Sequence, residues 1–169
     1  VSAEAPVRTI TAEALTAESF APYGRIVAFD GIAPELVRTA GSDWTDAYDE
    51  RPITRETPSL GMTSAPGAPF VSTVMERHAN VEEALLPAGR AIVLAVAEAS
   101  AATAPASDDV RAFLIPPGAA VVLAPGTWHD ACRGADGPTS YYWLASCVDS
   151  GSSPWTPLAG GPVSVGVAA

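Results

Sequence analysis

The sequence predicts an all-β fold, a small barrel carrying one short N-terminal helix, on three observations. First, seven short segments rich in Val, Ile, Leu and aromatic residues read as strands: 59–63, 70–78, 91–97, 110–115, 119–123, 127–132 and 140–148. Second, Pro/Gly turn signals punctuate them, notably Pro116-Pro117-Gly118 and Pro125-Gly126. Third, 169 residues with 48% hydrophobic and 17% charged side chains suffice for one buried core. Many short strands at turn-limited spacing build sandwiches or barrels. A closed small barrel can hold one small ligand in its mouth.

The elements follow in order. Val1 to Arg8 lacks the basic-then-apolar pattern of a secretory signal. No apolar run approaches the roughly 18 residues needed to cross a bilayer, so the expectation is a cytoplasmic protein. Val7 to Ile10 reads as extended. Thr16 to Phe20 reads as one helical turn with Thr16 as N-cap. Pro22-Tyr23-Gly24 ends that turn, and a strand follows over 25–29. From 31 to 58 scattered Asp, Pro and Trp predict strands broken by loops, covering one end of the barrel. Residues 99–109 read as an exposed loop or weak helix, and 134–138 as a hairpin loop. The tail from Gly151, rich in Pro and Gly, is expected to wrap the barrel. With no repeat and no linker, residues 1–169 read as a single domain, its C-terminal tail spanning 150–169.

Charge and composition exclude several functions. A net charge of −10 with no basic cluster disfavours nucleic acid and anionic membrane surfaces. All nine basic residues are arginines, so neither a lysine Schiff base nor a P-loop lysine can form. Cys132 and Cys147 are too far apart for a CxxC motif and read as small apolar residues rather than a disulfide. What remains is a protein whose partner is a small molecule.

The chemistry gathers around the two histidines, His78 and His129. Strand alternation puts Glu76 and His78 on one face, and Met75 and Arg77 on the other. A polar pair at period two inside an apolar strand is costly unless it binds something. His78, His129 and Glu76 are the candidate catalytic residues. With one of Glu82 or Glu83 they form a mixed N/O donor set suited to Zn, Ni, Mn or Fe(II). Glu82 stands in the candidate metal set and Glu83 in the substrate-binding set; being adjacent, only one of them enters the pocket. The alternative is a metal-free pocket in which the same groups do acid–base work. Arg25 and Arg111 are candidates for gripping a substrate carboxylate with a planar fork. Arg77 should point outward, to an ion pair or a dimer interface. Alternation separates Tyr142 and Leu144 from Tyr141, Trp143 and Ala145; Tyr142 is the candidate pocket tyrosine. Asp130 is expected at the rim or outside.

Two strings carry a resemblance. Glu76-Arg77-His78, three residues, Glu82, six residues, Gly89 is similar to the first cupin motif, with Glu76 where the first histidine would stand. Gly118 to His129, containing Pro125-Gly126-Thr127-Trp128-His129, is similar to the second. A closer resemblance runs from about Ile10 to Asp149. Leu15-Thr16-Ala17-Glu18-Ser19-Phe20-Ala21-Pro22-Tyr23-Gly24, Glu76-Arg77-His78, Arg111-Ala112-Phe113 and Gly126-Thr127-Trp128-His129 resemble segments of the ureidoglycolate lyase family in the same order. That resemblance implies a cupin-like β-barrel (double-stranded β-helix), a homodimer, and cleavage of ureidoglycolate to glyoxylate and urea in purine degradation. Three departures stand out. Ala79 replaces the family's proline, Glu82-Glu83 replaces a polar pair, and Asp130-Ala131 follows Trp128-His129 where the family tends to carry His-Pro. Glu83 adds negative charge where a carboxylate should bind. A second reading is therefore a diverged isomerase, cyclase or decarboxylase on another small metabolite in a biosynthetic pathway. A third is a non-catalytic small-ligand-binding barrel.

Overall fold

The computed structural model describes residues 7–29 and 36–168. The sequence readings for 1–6 and 31–35 fall outside these residues.

Two five-stranded sheets face each other across the central core. The first has the order Trp128–His129, Ile92–Ala97, Arg111–Ile115, Glu13–Ala14, with Arg133–Gly134 also paired to Ile92–Ala97. The second runs Gly24–Ala28, Ala119–Leu123, Glu83–Pro87, Thr139–Ala145, Ser59–Ala65. Alternation fixes both faces of each sheet. Ile92, Leu94 and Val96 enter the central core together with Ala119, Val121 and Leu123. Val93, Ala95 and Ala97 point to the back of the first sheet, where Val163 and Val165 cover them. Ala120 and Val122 point to the back of the second sheet, under Leu36 and Ile53. Burial on both faces explains why these strands read as unbroken apolar runs rather than as alternating ones.

The layer behind the first sheet is made by the two ends of the chain. Val163–Gly166 pairs in parallel with Arg8–Thr11 and antiparallel with Phe70–Ser72. The tail thus wraps the body as expected, by supplying a central strand. Among the described residues no sheet is shown closed into a barrel; the fold is largely β with little helix, consistent with a cupin-like arrangement. The single strand predicted over 70–78 is divided at Thr73. Phe70–Ser72 joins the rear layer, and Val74–Met75 pairs with Thr156–Pro157. The predicted strand 127–132 shortens to Trp128–His129. The strand Glu83–Pro87, central in the second sheet, has no counterpart in the sequence reading.

Local chemistry agrees with the turns. The helix Ala17–Phe20 is closed by a capping box: the Thr16 hydroxyl accepts from the Ser19 amide at 3.1 Å, and the Thr16 amide donates to the Ser19 hydroxyl at 3.3 Å. Gly24 has φ +154°, and a Cβ there would stand 2.0 Å from the Val122 carbonyl oxygen, so only glycine lets these strands pair. On the edge strand Ser59–Ala65, Leu60 and Met62 lie exposed beside Tyr142. No described helix is long and apolar enough to cross a membrane.

This layering predicts where stability resides. Leu94→Ala, in the central core with no exposed surface, should lower unfolding free energy by about 3 kcal/mol. Leu60→Ala, 68% exposed, should stay within about 0.5 kcal/mol. Urea unfolding of the two variants checks the contrast.

Candidate functional site

Register alone brings four polar side chains to the inner face. His129 pairs with Val96, whose side chain is in the central core, so His129 points inward too. Glu76 forms a two-way backbone bridge with His129, each amide donating to the other's carbonyl at 2.9 Å, which puts its side chain on the same face. His78 follows two residues on. Glu83 pairs with Leu123 on one side and Ala145 on the other, and so also faces inward. Met75 and Arg77 take the opposite face. There the Arg77 guanidinium lies 4.3 Å from the Trp128 ring and donates to the Ser100 carbonyl, in place of the expected ion pair.

The cluster is tight. Glu83 Oε2 lies 3.1 Å from His78 Nε2 and 3.0 Å from His129 Nε2, and Glu76 Oε1 lies 3.8 Å from His129 Nε2. The imidazole centroids are 5.4 Å apart. The outer ring nitrogens are held from behind. His129 Nδ1 lies 3.2 Å from the Thr127 carbonyl oxygen, which can only accept, so Nδ1 carries the hydrogen and the neutral ring turns its Nε2 lone pair inward. His78 Nδ1 lies 2.7 Å from the Ser152 hydroxyl, itself 2.6 Å from that of Ser150. An imidazole oriented through its second nitrogen is the usual pattern for a metal ligand.

The donors fit a divalent ion. Glu76, His78 and His129 each offer a ligand atom, all within 4.8 Å of one another. The buried Oε2 of Glu83 has no hydrogen bond of acceptable geometry although two ring nitrogens stand against it. Ligand atoms about 2.1 Å from one ion stand about 3.0–3.4 Å apart, which is the spacing of Glu83 Oε2 from both histidines. Oxygen and imidazole nitrogen together suit Zn, Ni, Mn or Fe(II).

Without an ion, the same groups hold charge for one another. Burial pushes the Glu83 carboxyl upward, but the contacts and charges of His129 and His78 outweigh it and bring it down to about 2. Burial opposes protonation of His129, and the Glu83 carboxylate reverses this, so its pKa lies above the ordinary value. Glu76, less enclosed, is raised by burial, partly offset by the two histidines.

These groups line a cavity of about 400 Å³, the size of a small-molecule site. Its inner wall adds Leu85, Tyr141, Trp143 and Ala145, and the tail adds Ser152 and Trp155. The structure places several predicted residues elsewhere. Glu82 borders a different surface hollow with Arg55 and Asn80, because its neighbour Glu83 takes the inner face. Arg111 is paired with Glu13 and Arg25 with Asp49 at 2.5 Å; neither lines the cavity. Tyr142 faces outward and is 42% exposed, whereas Tyr141, opposite Thr63, lines the cavity. Asp130, expected at the rim or outside, is buried and lines it. Ser152 and Trp155 lie in a Pro/Gly-rich tail with no local pattern that marks them for the site.

Fold and site together define a cupin-like β protein whose cavity suits a small molecule and carries a histidine–carboxylate cluster. A profile of the ureidoglycolate lyase family matches residues 7–153. Over 127 residues the chain is 33% identical to a protein of Agrobacterium fabrum (strain C58 / ATCC 33970) named "Putative ureidoglycolate lyase", covering 73% of this chain and 74% of that one. The chain belongs to the ureidoglycolate lyase family. Among solved structures, the sugar 3,4-ketoisomerase QdtA from Thermoanaerobacterium thermosaccharolyticum is similar at TM-score 0.46 and 9% identity, covering 76% of this chain and 85% of that one. A mutant of Bacillus subtilis oxalate decarboxylase OxdC is similar at TM-score 0.37 and 14% identity, covering 64% and 24%. Both likenesses are distant.

The two shifts predict a pH window for the metal-free protein. Glu83 is lowered, so its contribution is present above the unfolded value of 4.5 and is lost as pH falls toward about 2. His129 is raised, so its contribution is full below the unfolded value of 6.5 and is lost as pH rises through the folded value. In chelator-treated protein, Glu83→Gln should therefore cost most between about pH 4.5 and 6.5, by about 3 kcal/mol, and the cost should shrink as pH rises through the folded value of His129. A pH series of thermal unfolding curves measures it; a cost that grows as pH rises above 6.5 would refute the ion pair.

Proposed function

We propose that the protein is a carbon–nitrogen lyase that cleaves a small carboxylated hemiaminal of the ureidoglycolate type, releasing glyoxylate and an amide such as urea. One observation carries this reading beyond family membership. A carboxylate able to move a proton, Glu76, stands on the same face as a buried histidine–carboxylate centre, in a cavity of small-molecule size. His78, His129 and Glu83, with Glu76 at their edge, would hold a divalent ion. When bound, that ion would supply Lewis acidity beside the substrate's carboxylate and hydroxyl oxygens.

The chain's own groups divide the remaining work. Glu76 takes the hydroxyl proton. The electron pair of that O–H bond becomes the new carbonyl, and the C–N bond opens. The proton then passes to the departing nitrogen, so atoms and charge balance. The upward shift of Glu76 brings its affinity for a proton nearer to that of its partners in the exchange. His78 is less suited to be the acid, because Ser152 engages one ring nitrogen and Glu83 the other. The contacts behind the two imidazoles fix the geometry into which the substrate closes, which lowers the barrier by orientation.

Glyoxylate release from racemic ureidoglycolate, with and without added Ni²⁺, Mn²⁺ or Zn²⁺, tests the reading. Turnover should fall by about 10²-fold or more in Glu76→Gln and vanish in His78→Ala and His129→Ala. No release under any metal condition would exclude ureidoglycolate as the substrate. The departures at Ala79, Glu82-Glu83 and Asp130-Ala131 would then favour a family scaffold redirected to isomerase, cyclase or decarboxylase chemistry.

A further inference from the structure

The two imidazoles of the cluster are backed by unlike partners. The Thr127 carbonyl behind His129 can only accept, so it fixes that ring's hydrogen on Nδ1. The Ser152 hydroxyl, 2.7 Å from His78 Nδ1, can accept or donate. It stands in turn 2.6 Å from the Ser150 hydroxyl, and either oxygen can be the donor. The Ser150 oxygen also accepts from the Ser152 amide at 3.2 Å. His78 is therefore backed by a chain of two hydroxyls that can run in either direction without moving a heavy atom. Neither serine is buried, so solvent reaches the end of the chain.

The backbone holds this chain in place. Residues 149–153 lie antiparallel against 77–80, with Ser152 bridged to His78. The Asn80 amide donates to the Ser150 carbonyl at 3.0 Å, the Ala79 amide to that of Gly151 at 3.3 Å, and the Ser153 amide to that of Arg77 at 3.0 Å. The Asn80 side chain donates to the Asp149 carbonyl at 3.1 Å. Gly151, between the two serines, has φ +64°, and a Cβ there would stand 2.9 Å from Asn80 Nδ2, so glycine is what lets the segment lie this close.

Each direction of the chain suits one state of the site. With the hydrogen of a neutral His78 on Nε2, that hydrogen faces the Glu83 carboxylate 3.1 Å away. Nδ1 then accepts from Ser152, and Ser152 accepts from Ser150. With the hydrogen on Nδ1, Ser152 accepts from the ring and donates to Ser150, and the Nε2 lone pair is open to a cation. A charged acceptor attracts the hydrogen more than a hydroxyl does, so the first arrangement suits the metal-free cluster. The second is the one that a metal ligand needs.

We propose that Ser152, backed by Ser150, is the positioning residue that lets His78 change tautomer and become a metal ligand, whereas His129 keeps its Nδ1 hydrogen throughout. The ring keeps one hydrogen in the change. Nε2 gives a proton to solvent, Nδ1 takes one from Ser152, Ser152 takes one from Ser150, and Ser150 takes one from solvent. This rests on the reading of the cluster as an ion site and is independent of the substrate.

The chain has two histidines, so NMR of the ring nitrogens in the isotopically labelled full chain reads both. At about pH 9, above the ordinary imidazole range, chelated protein should show the His78 hydrogen on Nε2. Protein loaded with Zn²⁺ should show it on Nδ1, with Nε2 bound to the ion, and His129 should carry its Nδ1 hydrogen in both. Competition with a chromogenic chelator measures Zn²⁺ affinity. Ser152→Ala should weaken it by about 10- to 100-fold, and Ser152→Thr, which keeps the hydroxyl, should restore most of the loss. Circular dichroism shows that both variants are folded. The same His78 tautomer with and without Zn²⁺, or parental affinity in folded Ser152→Ala, would overturn this inference and leave the ion site standing. No Zn²⁺ retained by the parent protein would overturn both.

Discussion

The buried carboxylate of Glu83 is the constraint around which the site is organised. It is 9% exposed, and a carboxylate removed from water is unstable unless something positive faces it. Two imidazoles do so at 3.0 and 3.1 Å. Each is held from behind, His129 by a backbone carbonyl of its own strand and His78 by a serine from the tail. The arrangement has two ways to satisfy its charge: a proton on His129, or a divalent cation among the donors. The first balances the buried charge without metal, and the second would add Lewis acidity.

The scaffold turns this local problem into a precise placement. Paired strands leave no freedom about which face a side chain takes, because a slip of one residue would send Glu76 and His78 outward together, and a slip in the strand Glu83–Pro87 would do the same to Glu83. The register at Val96–His129, Glu76–His129 and Leu123–Glu83 therefore carries the chemistry as much as the side chains do. The tail serves both stability and site. Val163 and Val165 seal the back of the first sheet, while Ser152 and Trp155 reach the cavity.

Much of this was legible from the residues. The alternation Glu76-Arg77-His78 and the turn before His129 pointed to the inner face, and Thr16 marked the helix start. Glu82 and Glu83 could not be told apart from spacing alone, since the strand Glu83–Pro87 is short and opens on the charged residue itself. Its pairing with a strand on each side, rather than its own composition, makes it a strand. Tyr141 and Tyr142 posed the same problem: alternation separates them, but only register to Thr63 and Met62 says which is inside. Arg111 and Arg25 looked free to bind a substrate because Glu13 and Asp49 lie 98 and 24 residues away in sequence. Long-range partners of this kind leave no local signal.

The histidine–carboxylate cluster is expected to hold one divalent ion. Equilibrium dialysis of the chelator-stripped protein against Ni²⁺, Mn²⁺ or Zn²⁺, followed by elemental analysis, measures it without any assumption about substrate. One ion per chain should be retained for at least one of these metals, lost in His129→Ala and weakened in Glu83→Gln. No retained ion, or the same stoichiometry and affinity in the folded His129→Ala variant, would contradict it.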